Sequence, residues 1–250
     1  MRFENRVAVL TGAGRGIGAA AARRFAAEGA AVVVSDLDIE PAQEVVDEVE
    51  AAGGRGHAVA CDVTRRAEVE SLFDSAIAAF GKVDILVACA GITRDNLVHR
   101  MTDDDWDSVI DTHLKGSFLA AQVAQRHMTP NNYGKMVFLS SISALGNRGQ
   151  ANYSTAKAGL QGLTRTLAIE LGRFNINVNA VGPGFVDTRM TEQTAARMGV
   201  DYEVFKAGAA AQIPLQRVGT PEDLAGVITF LCSEDASYVS GQTLYVRGGP

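Results

Sequence analysis

Seven strand-length runs, apolar at nearly every position, constrain this chain more than any other feature. They are VAVLT (7–11), AVVVSD (31–36), HAVACDV (57–63), VDILVACA (83–90), KMVFLSS (135–141), INVNAVGP (176–183) and TLYVRG (243–248), with helical patterns between them. A strand with one wet face alternates apolar and polar residues. A run that is apolar throughout fits a strand covered on both faces, as in a parallel sheet. Parallel neighbours need long, right-handed crossovers, which the intervening helices supply. The expected fold is α/β, a doubly wound sheet with helices on both faces. Helix boundaries agree with it: Pro41 suits a first helical turn, Gly29 and Gly53 suit helix ends, and TPED from Thr220 reads as an N-cap followed by proline and acids.

No linker, repeat or low-complexity tract divides the sequence, so one domain over residues 1–250 is expected. The least regular stretch follows the sixth strand. A connection this long is more often a functional lid than filler, and a substrate lid is expected at 188–217. The net charge of −6 is spread along 250 residues without a Lys/Arg-rich run, which argues against a nucleic-acid partner. The apolar runs are too short to span a bilayer and the N-terminus lacks a signal-peptide core, so a soluble, cytoplasmic chain without a membrane partner is expected. Cys61, Cys89 and Cys232 are odd in number and widely spaced. They read as small buried hydrophobes, not as a disulfide framework or a metal site.

The first strand runs straight into TGAGRGIG, which sets Gly12, Gly14, Gly16 and Gly18 ahead of an alanine-rich helix. Glycine allows a tight turn and close backbone approach, and the free N–H groups of the following helix suit a pyrophosphate. The spacing departs from the strict GxGxxG pattern, because Ile17 occupies its last position, but the strand-turn-helix context is present. Asp36 ends the second strand, eighteen residues beyond Gly18, where an acid can hold a ribose 2′-hydroxyl.

A second constellation lies in GQANYSTAKAGL, where Tyr153 and Lys157 stand four residues apart in a helix-forming segment. That spacing puts both on one helix face. A nearby cation favours the phenolate, so Lys157 is expected to lower the pKa of Tyr153 and make it a proton donor near neutral pH.

In order and spacing, TGAGRGIG (11–18), CDV (61–63), ACAG (88–91), SS (140–141), YSTAK (153–157) and GPGFVDT (182–188) resemble the short-chain dehydrogenase/reductase family across nearly the whole chain. The resemblance implies a Rossmann-type sheet of seven mainly parallel strands, a nicotinamide cofactor, and hydride transfer between that cofactor and a ketone or secondary alcohol. It casts Tyr153 as acid/base and gives Lys157 the nicotinamide ribose as well. A serine would hydrogen-bond the substrate oxygen: counting back from Tyr153 gives Ser140, while strand register gives Ser141, which is favoured. Cofactor contacts fall to Gly12, Arg15, Gly16, Ile17 and Gly18 in the turn, Asp36 and Leu37 at the ribose, Asp62 and Val63 at the adenine, Gly91, and Pro183, Gly184, Val186 and Thr188 near the nicotinamide.

Asp36 favours NAD over NADP through like-charge repulsion of a 2′-phosphate, although Arg15 could meet that phosphate. The sequence also departs from the family. Ala88 and Cys89 replace a pair of asparagines, and His113 stands where a catalytic asparagine is usual. His113 either joins a proton relay with Lys157 or packs under the site and bonds a backbone carbonyl. The segments GNRGQANYSTAKAGLQGL and SGQTLYVRGG look most like 3-oxoacyl-thioester (acyl-carrier-protein or CoA) reductases and 3-hydroxyacyl-CoA dehydrogenases. Steroids, cyclic ketones, sugars and polyols remain alternative substrates, and a catalytically silent nucleotide-binding regulator is the alternative from another class. The family commonly assembles as homotetramers, and the same is expected here.

Overall fold

The computed structural model describes all 250 residues. In chain order the elements are β1 (Val7–Thr11), α1 (Gly16–Ala27), β2 (Ala31–Asp36), α2 (Ile39–Ala51), β3 (Arg55–Ala60), α3 (Arg66–Phe80), β4 (Ile85–Ala88) and α4 (Asp103–Ile110). A π-helical turn at Asp111–Lys115 joins α4 to α5 (Gly116–Met128). There follow β5 (Gly134–Leu139), α6 (Ala151–Leu171), β6 (Ile176–Pro183), α7 (Arg189–Met198), α8 (Tyr202–Gln212), α9 (Pro221–Cys232) and β7 (Thr243–Val246). All seven expected strands form, in one sheet of order β3-β2-β1-β4-β5-β6-β7, and every pairing is parallel.

Strand side chains alternate between two separate cores, which explains the unbroken apolar runs. Leu10, Val32, Val34, Ile85 and Val87 pack with Phe25, Val45 and Ile228 of α1, α2 and α9. Val9, Val33, Leu86, Met136 and Phe138 pack with Leu72, Phe73, Leu119 and Leu160 of α3, α5 and α6. The two edge strands are the exceptions: β3 and β7 are only half-buried, and β3 ends at Ala60, short of the expected Val63.

The order reverses between β1 and β4, and in open parallel sheets ligands bind at the carboxyl ends of strands beside such a switch point. At that end the connection after β6 leaves the sheet. A parallel bridge pairs Val186 with Gly219, and two backbone bonds of 2.9 Å, from Asp187 N to Gly219 O and from Gly219 N to Phe185 O, close its neck. Both α7 and α8 lie between those closed ends. Thr220, N-cap of α9, forms a capping box with Asp223, an arrangement worth about 1 kcal/mol.

Candidate active site

The turn after β1 is as tight as its glycines suggest. Gly12 (φ +60°) lies so close to the chain after β4 that a Cβ there would stand 2.4 Å from Ala90 Cα. Gly16 (φ +56°) faces Thr188, whose Cγ2 would be 3.6 Å from an added Cβ. The start of the connection after β6 therefore looks across at the glycine turn. α1 starts at Gly16 with no side-chain cap on Arg15 and no acid in its first turn, which leaves its leading N–H groups for an external acceptor. These features fit the pyrophosphate of a dinucleotide.

Asp36 closes the turn from the side. Its Oδ2 accepts from Gly14 N at 3.0 Å and its Oδ1 from Leu37 N at 2.9 Å, so the carboxylate is fixed at the tip of β2. Leu37 and Arg15 are exposed at this edge, and Ile17 is half-buried. Asp62 follows β3, its Oδ1 accepting from Thr64 N at 2.9 Å and from Thr64 Oγ1 at 2.7 Å, and Val63 beside it is buried. Pro183 ends β6, Gly184 N donates to Val246 O at 2.9 Å, Val186 sits in the neck of the connection after β6, and Thr188 caps α7. All of these groups lie at the carboxyl end of the sheet.

The two serines after β5 face opposite ways. Ser140 Oγ donates to Lys157 O at 2.9 Å and accepts from Gln161 Nε2 at 3.2 Å, so it braces α6. Ser141 Oγ accepts from Ser143 N at 3.1 Å and lies on the Tyr153 side, where its hydroxyl helps hold the phenol pKa down. The Lys157 ammonium stands 5.3 Å from the centre of the Tyr153 ring and donates to Leu139 O. Ser141, Tyr153 and Lys157 thus share one cluster from which Ser140 is turned away.

The electrostatics differ from the sequence expectation. Burial pushes the Tyr153 phenol up to about 12, with the Ser141 hydroxyl opposing the rise and the Asp95 carboxylate adding to it. Burial also pulls Lys157 down to about 7, against a small opposing effect of Cys89. A lysine that is half neutral and turned toward a carbonyl offers the phenol little positive charge, so in this structure desolvation outweighs the ammonium.

His113 sits in the π-helical turn and is buried. Such turns recur at functional sites because the extra residue rotates a side chain off the regular helix face. Its Nε2 lies 2.8 Å from Ile92 O and 3.1 Å from Ile92 N, a partner of either tautomer, while Nδ1 has no protein partner. The ring packs edge-on to Tyr153 at 5.1 Å and lies against Gly91, where an added Cβ would be 2.2 Å from His113 Cε1. Burial, together with the Lys157 charge, lowers its pKa well below the ordinary histidine value, so the ring is neutral.

Several residues at this end had no sequence signal. Asn152 is fully buried beside Tyr153. The Asp187 carboxylate takes Tyr202 OH at 2.6 Å and Lys206 Nζ at 2.6 Å, fastening α8 to the neck of the connection after β6. Arg197 of α7 reaches Thr93 Oγ1 at 3.0 Å and Asp95 Oδ2 at 3.6 Å on the loop after β4. Their partners lie far off in sequence, where periodicity does not reach.

A glycine cradle at the switch point, with a serine, tyrosine and lysine gathered at its side, defines the class of dinucleotide-binding oxidoreductases. A model of the family described as Enoyl-(Acyl carrier protein) reductase matches residues 12–250. The chain belongs to the short-chain dehydrogenase/reductase family, oxidoreductases that use a nicotinamide cofactor. It is 43% identical over 243 residues to the short-chain reductase protein NovJ of Streptomyces niveus, covering 97% of this chain and 93% of that protein. It is 41% identical over 249 residues to the BbsD subunit of (2S)-[(R)-hydroxy(phenyl)methyl]succinyl-CoA dehydrogenase of Thauera aromatica, covering 100% and 98%. Identity to the 3-oxoacyl-(acyl-carrier-protein) reductase FabG of Thermotoga maritima is 42% over 250 residues, covering 100% and 99%. Cys61 and Cys232 are buried and Cys89 half-buried, all as free thiols, and no helix is long and apolar enough to cross a membrane.

Proposed function

We propose that this protein interconverts a ketone and a secondary alcohol with NAD(H), acting on 3-oxoacyl and 3-hydroxyacyl thioesters in the cytoplasm. The observation that carries the reading is the gathering of Ser141, Tyr153 and Lys157 beside the glycine cradle, with the Lys157 ammonium 5.3 Å from the centre of the Tyr153 ring. Relatives named for thioester chemistry, at about 40% identity over full length, support the substrate class. The N–H groups at the head of α1, with Gly12, Arg15, Gly16, Ile17 and Gly18, hold the pyrophosphate. Asp36 and Leu37 hold the adenosine ribose, and Asp62, Val63 and Gly91 border the adenine side. Pro183, Gly184, Val186 and Thr188 flank the nicotinamide, which supplies or accepts the hydride.

The chain's own part is to manage the substrate oxygen. Ser141 donates to it and stabilises charge that develops there. Tyr153, a neutral acid in this environment, gives up its proton to make the alcohol and recovers it from the Lys157 side. His113 offers the unpartnered Nδ1 as an acceptor for that relay. Residues 188–217 close over the substrate as a lid. Trp106, Phe118 and Ile169 on α4, α5 and α6 are exposed apolar residues that suit self-pairing of these helices in a homotetramer.

Purified protein incubated with NADH and an acetoacetyl thioester should oxidise the cofactor, and light scattering should give a tetramer. Oxidation driven only by steroids, cyclic ketones or sugars would move the substrate class, and binding of NADH with no oxidation by any carbonyl would leave a silent nucleotide-binding regulator.

A further inference from the structure

The helix that carries Tyr153 begins without a conventional cap. Gln150, the residue before its first turn, makes no side-chain bond to the turn's N–H groups. Asn152 does that work from inside the helix, its Oδ1 accepting from Tyr153 N at 2.8 Å. Its Nδ2 donates to Arg94 O at 3.0 Å and to Asp105 O at 2.8 Å. Both amide hydrogens are therefore used, on two segments distant in sequence, by a side chain with no exposure to solvent.

Asn152 is also the buried end of a seam between two loops. Asn96 bridges to Gln150, Asn96 N donates to Gly149 O at 2.8 Å, and Gln150 Nε2 donates to Asp95 Oδ2 at 3.2 Å. The hydrogen bonds between α6 and the end of β5 come later along the helix, at Lys157 and Gln161. Within the first turn of α6 itself, it is Asn152, next to the phenol, whose side chain hydrogen-bonds two other segments.

We propose that Asn152 is a positioning residue, which pins the first turn of α6 to the loop after β4 and to α4 and thereby keeps the Tyr153 hydroxyl against Ser141. The proposal rests on the catalytic reading of Tyr153 given above. An error of about 1 Å in placing a reacting group costs on the order of 10²-fold in rate. Replacing Asn152 should therefore lower kcat without a comparable loss of cofactor.

The test uses Asn152→Ala and Asn152→Asp in the full-length enzyme. Expected for Asn152→Ala is a loss of kcat of about 10²-fold, with NADH affinity by fluorescence within about twofold of the parent and a melting temperature above the assay temperature. Asn152→Asp should be pH-dependent in a way the alanine variant is not. A protonated carboxyl still donates one hydrogen bond and an ionised one donates none, so its deficit should widen between pH 5.5 and pH 9. Losses of kcat that follow the unfolded fraction in both variants, or kcat within twofold of the parent for Asn152→Ala, would overturn the proposal. Backbone hydrogen exchange reads the pin independently of turnover. Faster exchange confined to residues 151–154 in Asn152→Ala upholds it even if no carbonyl substrate is turned over, and unchanged exchange there overturns it.

Discussion

Lys157 should cost the fold stability that the active site needs it to cost, and Lys157→Met should expose the cost. The lysine is almost wholly buried, and its pKa falls from the ordinary 10.5 to about 7 because burial disfavours the ammonium. The unfolded chain binds this proton up to about 10.5 and the folded chain only up to about 7, so between these values unfolding takes up a proton and stability rises with pH. At about 1.36 kcal/mol per pH unit, the penalty is about 4 kcal/mol at pH 7, about 3 at pH 8.5 and under about 1 at pH 10. Against it stands the bond from Lys157 Nζ to Leu139 O, and a buried carbonyl left unpaired costs about 1–3 kcal/mol. Methionine fills similar space without charge, so Lys157→Met should be more stable than the parent by about 1–3 kcal/mol at pH 7, should lose that advantage as pH rises, and should be the less stable protein at pH 10. Urea unfolding of both proteins at pH 7, 8.5 and 10, at matched protein concentration so that assembly contributes equally, measures the difference. A variant no more stable than the parent at pH 7, or an advantage that does not shrink with pH, would refute the reasoning.

Three further outcomes follow from the site. Ser141→Ala should lose about 10²–10³-fold in kcat, as expected for removal of a donor to the developing oxyanion, whereas Ser140→Ala should mainly lower the melting temperature; equal kinetic losses would show that Ser140 also reaches the substrate. His113→Asn should keep most of kcat and His113→Leu should lose about tenfold or more, less than the ~10²–10⁴-fold typical of removing a general acid, and full activity of the leucine variant with an unchanged pH profile would make His113 a packing residue. Steady-state comparison of the two cofactors should give a higher kcat/KM with NADH than with NADPH, and Asp36→Ala should narrow the gap because the fixed carboxylate no longer meets a 2′-phosphate.

The sheet was legible in the sequence because its middle strands are buried on both faces and so are written as unbroken apolar runs. HAVACDV was overread for the opposite reason: an edge strand is half-covered, and its tail at Cys61 to Val63 peels into the loop that borders the site. WDSVIDTHLKGSFLAAQVAQRHM reads as one helix, and the extra residue of its π-helical turn leaves no periodic trace at His113. Ser140 and Ser141 could not be separated by counting, since adjacent residues at a strand end point to opposite sides and the direction depends on where α6 packs. Burial was the least legible quantity. Spacing placed Tyr153 and Lys157 together, but only the surrounding walls show that desolvation raises one pKa and lowers the other.

The closed neck at Val186 and Gly219 makes the connection after β6 a replaceable cassette. Its two ends meet on the sheet side, so the segment between them enters and leaves at one place. Lengthening such a loop is inexpensive in entropy, about 0.6 kcal/mol for a doubling. Insertions, deletions or wholesale exchange of residues 189–217, beyond Thr188, would therefore leave β6, α9 and the glycine cradle where they are. With that connection acting as the proposed substrate lid, a lineage built on this plan would change the shape of the molecule it accepts while inheriting the rest of the site.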